Sequence, residues 1–383
     1  MKVGILGHLL DFRPGFRQAG VSRYIEYLVQ SLPAASADSY VLYAGPQAKR
    51  GTGDGHRLPG LRWSRSWLPT GRPEVRIIWE QLVAPALLER DGIDVVHAPV
   101  NIAPLLSGRP NVVTVHDLAF RIFPEQYPGA KQRYLDLLTR RSVERATQVI
   151  AVSENTRADL LHFYTVHPER VHVVPNGIDP SLRPIRDEAR LERFRAKHEL
   201  PEQFILFLGT LQPRKNLVTL LRAWARLDTD GRLPLVVAGA QGWKFEPIFD
   251  EARALGIAED VQFKGYVEGS ELALWYSAAT IFVYPSLYEG FGLPVLEAMA
   301  CGAPVISSNS SSLPEVSGDA AMLVDPGDID GLTRAIDRLS HDPNLHSRLS
   351  SRGIERSKLF SWARTARETA SIYHLAAGSG RKD

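Results

Sequence analysis

Short apolar runs alternate with helix-length segments along this chain, and the alternation runs twice, on either side of a charged stretch with several prolines at residues 180–202. In the first half Val3–Gly7, Tyr40–Ala44, Val95–Ala98, Val112–Val115, Gln148–Val152 and Val171–Val174 read as strands. Helical patterns at Val21–Leu32, Trp79–Glu89, Gly129–Ala146 and Glu154–Phe163 separate them, with Ser153 placed to cap the last. Pro175-Asn176-Gly177 is a strong turn signal. In the second half the strands are Phe204–Leu208, Leu235–Ala238, Val261–Phe263, Ile281–Tyr284, Val305–Ser307 and Met322–Val324, again with helices between. Strands alternating with helices predict parallel sheets covered on both faces. The fold class is therefore α/β, with two doubly wound, Rossmann-like domains at residues 1–180 and 181–360. Such sheets take ligands outside the carboxyl ends of their strands, so two facing halves would share a cleft.

Composition narrows the function. The 383 residues suffice for two domains, and 44% hydrophobic with 23% charged residues is ordinary for a globular protein. A net charge of +2 gives no argument for a nucleic-acid partner. The lone Cys301 excludes an internal disulfide framework and a cysteine-rich metal site, and it reads as a small buried filler. The opening run Val3–Leu6 is too brief for a signal peptide, and no apolar run approaches the roughly 18 residues of a membrane helix. The cytosol is the expected compartment.

The stretch YPSLYEGFGLPVLEAMACGAPVISS, residues 284–308, carries the chemistry. A buried strand ends at Pro285, the Gly-rich turn Glu289-Gly290-Phe291-Gly292 follows, and Leu293–Ala300 is a helix with Pro294 in its first turn. Free N–H groups at a helix start attract anions, and glycine lets a ligand approach the backbone. Glu289 and Glu297 flank that start. A carboxylate touching a phosphate would be repelled, so Glu289 suits hydroxyls beside a phosphate, as in a nucleotide-diphosphate sugar. Acidic caps on an ordinary helix explain the Glu-x7-Glu spacing alone equally well. The full string PSLYEGFGLPVLEAMACGAPV, however, resembles the signature of the retaining glycosyltransferases of family four, which share the GT-B fold. That resemblance implies two domains facing across a cleft, with the last helix, residues 361–376, crossing back to the first domain.

Other segments fit the same picture. Gly209-Thr210-Leu211-Gln212-Pro213-Arg214-Lys215-Asn216 leaves a strand end, and Arg214 with Lys215 suits a diphosphate, one as a bidentate donor and the other as a compact charge. A bare Arg-Lys pair is more simply a solvated turn; its place at a carboxyl end of the sheet argues for the anion. The resemblance puts the turns at Gly239 and at Tyr266-Val267 along the nucleotide, together with Phe291, Gly292 and Leu293. In the first half, HDLAF and FPEQYP resemble the mannosyltransferase-like branch, which implies that His116 lies near the transferred sugar. His97 and His8, also at strand ends, are weaker candidates. Gly20 and Tyr24 match the branch's glycine-loop region, and Arg133 follows FPEQYP, so these three are the expected acceptor contacts.

Two absences count. No GxGxxG follows the first strand, which removes the main support for a dinucleotide oxidoreductase. Asp228-x-Asp230 and Asp328-x-Asp330 read as a solvated turn and a helix cap, so neither metal nor cofactor is expected. The resemblance implies a retaining, metal-independent transfer of a sugar from a nucleotide-diphosphate donor, GDP-mannose by the branch, to a glycan or lipid-linked saccharide. Glu297 would hold the ribose and Glu289 the sugar. A nucleotide-sugar epimerase on the same fold and a non-enzymatic sugar-binding module remain alternatives. Leu9–Arg17 and Arg62–Leu68 mix apolar, aromatic and basic residues, a pattern that suits an anionic membrane surface as well as packed loops.

Overall fold

The computed structural model describes residues 1–12, 20–48 and 59–379, and the chain divides into two compact units, Met1–Gly177 with Ser361–Asp383 and Ile178–Phe360. The first unit holds a seven-stranded, wholly parallel sheet: β1 Lys2–Leu6, β2 Ser39–Ala44, β3 Leu61–Arg65, β4 Val95–Ala98, β5 Asn111–Val115, β6 Gln148–Ala151 and β7 Val171–Val173. Their order is β3-β2-β1-β4-β5-β6-β7, so the topology switches direction between β1 and β4. The second unit holds six parallel strands: β8 Ile205–Leu208, β9 Leu235–Ala238, β10 Val261–Gly265, β11 Ile281–Tyr284, β12 Val305–Ser308 and β13 Ala321–Val324. Their order is β10-β9-β8-β11-β12-β13, with the switch between β8 and β11. Every residue of β4, β8, β9, β11 and β12 is buried, as expected for strands covered on both faces.

The final helix, Trp362–Ser379, belongs to the first unit, as the resemblance implied. Trp362, Ala366, Ile372, Tyr373 and Ala376 pack there with Tyr24, Ile25, Leu28 and Leu32 of the helix Val21–Ala35. Gly177 fits beneath this helix: a Cβ on it would lie 2.3 Å from the Trp362 backbone nitrogen. Ser153 caps Glu154–Phe163 by accepting from Thr156 N at 3.0 Å. Cys301 is buried.

Three elements depart from the sequence reading. Strand β3 occupies most of Arg62–Leu68, where a loop was expected; it pairs with β2 at the sheet edge. The helix expected at Trp79–Glu89 is a broken one, Pro73–Ile78, a π-helical turn Trp79–Val83, then Ala84–Arg90 with Pro85 in its first turn. Residues 180–202 are more than a link: Glu188–Lys197 is helical, capped by Asp187 and anchored by Leu191 and Phe194 within the second unit. Among the described residues no helix is long and apolar enough to cross a membrane.

Candidate active site

The second unit brings the residues singled out in sequence together at its switch between β8 and β11. After β8 the chain makes a tight turn, Pro213–Lys215, and Asn216 then adopts a left-handed conformation with φ of 57°. The Asn216 amide donates to the carbonyls of Pro285 (3.0 Å) and Pro326 (2.8 Å), and Leu287 N donates to Arg214 O at 2.9 Å. These bonds tie the loop after β8 to the loop after β11. Arg214 and Lys215 are thereby aimed at Glu289, across 74 to 75 residues of sequence.

Glu289 is 7% exposed, and both its oxygens are held. Lys215 Nζ donates to Oε1 at 2.5 Å, Ser286 Oγ at 2.7 Å and the Tyr284 hydroxyl at 3.1 Å, while the Arg214 guanidinium donates to Oε2 at 3.1 Å. Lys215 Nζ also reaches the Tyr284 hydroxyl at 2.7 Å. Burial by itself would raise the Glu289 pKa; Lys215 and Arg214, with the Lys215 and Ser286 hydrogen bonds, overcome this and hold it at about 2. The carboxylate is thus ionised throughout the working pH range. Its own backbone is fixed by serines: Ser311 Oγ accepts from Glu289 N at 3.1 Å, and Ser312 Oγ donates to Glu289 O at 2.9 Å.

This changes one part of the sequence reading. Arg214 and Lys215 were expected to face a diphosphate and Glu289 a sugar, as separate contacts. They form one buried cluster in which Glu289 bonds both cations. Glu289 fixes where the Arg214 and Lys215 charges sit.

Glu297 lies on the helix Leu293–Ala300, 6% exposed, and accepts from the Tyr276 hydroxyl at 2.9 Å. Gly292 precedes that helix with φ of 106°, and a Cβ there would meet Leu313 Cδ2 at 2.6 Å. Leu293 is half-buried at the helix start, and Phe291 is buried edge-on against Phe360 (5.7 Å, 74°). Gly209 and Thr210 follow β8; Gly239 follows β9 and donates its N–H to Gly265 O at 2.6 Å. Tyr266 is exposed and Val267 half-buried just past β10. Asp228 and Asp230 form an exposed turn closed by Asp230 N on Asp228 Oδ1 (3.1 Å), and Asp328 caps the helix Ile329–His341.

In the first unit His116 follows β5. Its Nε2 donates to Pro99 O at 2.8 Å, its backbone N–H donates to Asn101 Oδ1 at 3.2 Å, and burial lowers its pKa, so the ring is neutral. The ring edge of Tyr24 meets it at 4.6 Å. Tyr24 was expected to meet an acceptor, but it is 1% exposed, with its hydroxyl on Thr114 Oγ1 at 3.2 Å and its ring packed edge-to-face with His116. Thr114 also bonds His97 Nε2 (2.8 Å), whose Nδ1 is 2.7 Å from the Tyr373 hydroxyl of the final helix. Burial pulls His97 down to about 3, so it is a neutral core histidine. Gly20 caps Val21–Ala35 at φ of 60°, and Arg133 is exposed on Gly129–Arg145 with its guanidinium 3.4 Å from Gly129 O.

Sequence reasoning missed Tyr284, Ser286, Asn216 and Tyr276. The serine-rich run Ser307–Ser312, which ends β12 and continues past it, was a usable signal, since a dense set of hydroxyls at a strand's carboxyl end can hold a buried loop.

Two family models cover most of the chain: "Glycosyl transferases group 1" over residues 189–356 and "Glycosyltransferase Family 4" over residues 19–182. The O-antigen chain mannosyltransferase B of Escherichia coli is 35% identical over 268 residues, 69% of this chain and 70% of that protein. The chain belongs to glycosyltransferase family four. It falls in the mannosyltransferase-like branch of that family. The serotype-specific mannosyltransferase WbdA of E. coli is 32% identical over 67% of this chain, which matches about a third (32%) of that relative's length. Among solved structures, a sucrose-phosphate synthase from Thermosynechococcus elongatus superposes with a TM-score of 0.78 at 24% identity, covering 97% of this chain and 98% of that one. The fold of this family four glycosyltransferase is therefore GT-B.

Proposed function

We propose that this glycosyltransferase moves a mannosyl group from GDP-mannose to a glycan or lipid-linked saccharide, with retention of configuration and without a metal ion. The observation that carries the reading is the Arg214–Lys215–Glu289 cluster at the switch point of the second sheet. As the anomeric carbon–oxygen bond to the diphosphate breaks, the acceptor oxygen bonds to that carbon on the same face. The acceptor's proton passes to the leaving diphosphate oxygen. Charge then grows on the diphosphate, where two preorganised cations and the helix start at Gly292 stabilise it. Those cations supply what a divalent metal supplies in other transferases.

Glu289 then meets the sugar as positive charge develops at its anomeric carbon, and Glu297 holds the ribose. Gly209, Thr210, Gly239, Tyr266, Val267, Phe291, Gly292 and Leu293 surround the donor. His116 positions the sugar, with Gly20 and Arg133 on the acceptor side. The sugar rests on the mannosyltransferase relatives and on HDLAF, FPEQYP and LGTLQPRKN. Nothing in the residue spacing separates guanine from uracil. Turnover of GDP-mannose should exceed that of UDP-glucose and UDP-N-acetylglucosamine, survive EDTA and give an α-linked product. Preference for a UDP sugar, loss with EDTA, or a β-linked product would each remove its own part of the reading.

The same reading places the enzyme in the cytosol, peripheral on an anionic membrane. Residues 13–17 of Leu9–Arg17 lie outside the described residues; Leu10 is buried and Phe12 packs against the core. In the second segment Trp63 packs on the core beneath the Arg65 guanidinium (5.6 Å), and Trp67 stands 87% exposed. Ile78, Leu82 and Leu106 are exposed on the same unit. Salt-sensitive flotation with anionic vesicles is expected, weakened in Trp67→Ala. No flotation at low salt would discard membrane contact and leave the transferase reading intact.

A further inference from the structure

Besides Glu289, each cation of the buried cluster is held by a second group. For Arg214 it is the Tyr288 carbonyl, 2.6 Å from the guanidinium. For Lys215 it is a side chain outside the proposed donor contacts, the Tyr284 hydroxyl, 2.7 Å from Nζ. The same hydroxyl donates to Glu289 Oε1 at 3.1 Å, and Lys215 Nζ reaches that oxygen at 2.5 Å, so the three groups close a triangle. Its polarity has one solution. An ammonium only donates, and a carboxylate held at about 2 only accepts, so the phenol accepts from Lys215 and donates to Glu289. Burial, and after it the Glu289 charge, push the Tyr284 pKa well above its usual value, which keeps the proton that the bond to Glu289 needs.

The sheet itself carries Tyr284. It ends β11, the strand between β8 and β12, and it is wholly buried. Its ring stacks with Phe207 of β8 (5.8 Å, 21°) and with Phe282 of its own strand (5.8 Å, 18°). Ser307 Oγ on β12 donates to Tyr284 O at 3.3 Å. Lysine is the opposite, a compact charge on a flexible stem. A bond to Glu289 alone would let the ammonium swing about the carboxylate oxygen. A second acceptor fixed to the sheet removes that freedom, and a charge displaced by about 1 Å can cost on the order of 10²-fold in rate. Packing does not call for the hydroxyl, since a phenylalanine would stack on Phe207 and Phe282 as well.

We infer that Tyr284 is a positioning residue whose hydroxyl sets where the Lys215 ammonium stands for the donor's diphosphate. The inference rests on the reading that Lys215 faces that diphosphate. A nucleoside diphosphate product carries the charge that the leaving group develops, so its affinity reports the placement with neither sugar nor acceptor present. The test measures binding of GDP, UDP, GMP and UMP to the full chain by calorimetry, below the melting transition of every variant. GDP or UDP should bind the unaltered protein. Tyr284→Phe should weaken that diphosphate about tenfold, the worth of one hydrogen bond to a charged group, and leave the monophosphate unchanged. Lys215→Gln should weaken the diphosphate at least as much, and adding Tyr284→Phe to it should change nothing further. Unchanged diphosphate affinity in Tyr284→Phe, beside a loss in Lys215→Gln, would overturn the positioning role and leave the diphosphate reading standing. An equal loss for the monophosphate, or a loss that persists in the Lys215→Gln background, would mark a purely structural hydroxyl and overturn it too. Unchanged affinity in Lys215→Gln, or no binding of either diphosphate to the parent, would remove the diphosphate reading and the inference with it.

Discussion

Glu289→Gln is expected to lower kcat on the order of 10²-fold with little change in donor KM, the cost of one preorganised electrostatic contact. Glutamine keeps the size of the side chain and can still accept from Ser286 Oγ, which lies 2.7 Å away. It cannot balance Lys215 and Arg214, which would be left as two neighbouring buried cations. Glu289 bonds both, so in the proposed reading the charge facing the leaving diphosphate would be misplaced by roughly a few tenths of an ångström or more. Glu297→Ala should behave differently. Glu297 sits within the helix Leu293–Ala300 with Tyr276 on its carboxylate, and in the proposed reading it holds the donor's ribose in ground and transition states alike. Its loss should raise donor KM roughly tenfold, one charge-assisted hydrogen bond of about 1.5 kcal/mol. Steady-state kinetics with donor varied at saturating acceptor separates the two. If Glu297→Ala abolished kcat and Glu289→Gln left it intact, the roles would have to be exchanged. Because Glu289 and Lys215 touch, Glu289→Gln with Lys215→Gln should cost less than the two singles together.

How much of this was legible in sequence follows from the range of each signal. Glu289, Gly292 and Glu297 lie within one strand–turn–helix, so one local string holds them together, although their spacing alone fits an acidic helix cap equally well. Arg214 and Lys215 could be placed at a strand end, because buried strands read clearly as β-branched and aromatic runs. Their pairing with Glu289 could not be read, since it depends on which strands neighbour each other, and β8 pairs with β11 rather than with the next strand of the ladder alone. Strand β3 escaped notice because an edge strand of sequence LRWSR is only half-buried and carries two arginines. The helix Glu188–Lys197 escaped because only Leu191 and Phe194 face inward, too few for a clear period. Tyr24 illustrates another limit. The glycine before it locates the start of a helix, but the face a residue takes is set by Ile25 and Leu28, which turn Tyr24 inward with them.

Gly239→Ala should be the most damaging small substitution in the second unit. Gly239 ends β9 with φ of 146°, a region that only glycine enters at low cost, and a Cβ there would lie 1.9 Å from the Gly209 carbonyl oxygen. That neighbour is backbone, so no side-chain rotation relieves the contact. The carboxyl ends of β8 and β9 would have to part, and the hydrogen bond from Gly209 N to Ala238 O (3.0 Å) would go with them. Backbone strain and overpacking together cost about 3 kcal/mol or more. For a unit of this size that lowers Tm by about 6–12 °C. Donor KM should rise as well, because the displaced β8 end carries the loop that aims Arg214 and Lys215. Gly20→Ala is the control. Gly20 also has positive φ, 60°, but an added Cβ meets nothing within 4 Å, so it bears only the conformational penalty, roughly 1–2 kcal/mol. A fall in Tm for Gly239→Ala no larger than for Gly20→Ala would mean that β8 and β9 can separate freely. The close approach would then not be what holds the Arg214–Lys215 loop in place.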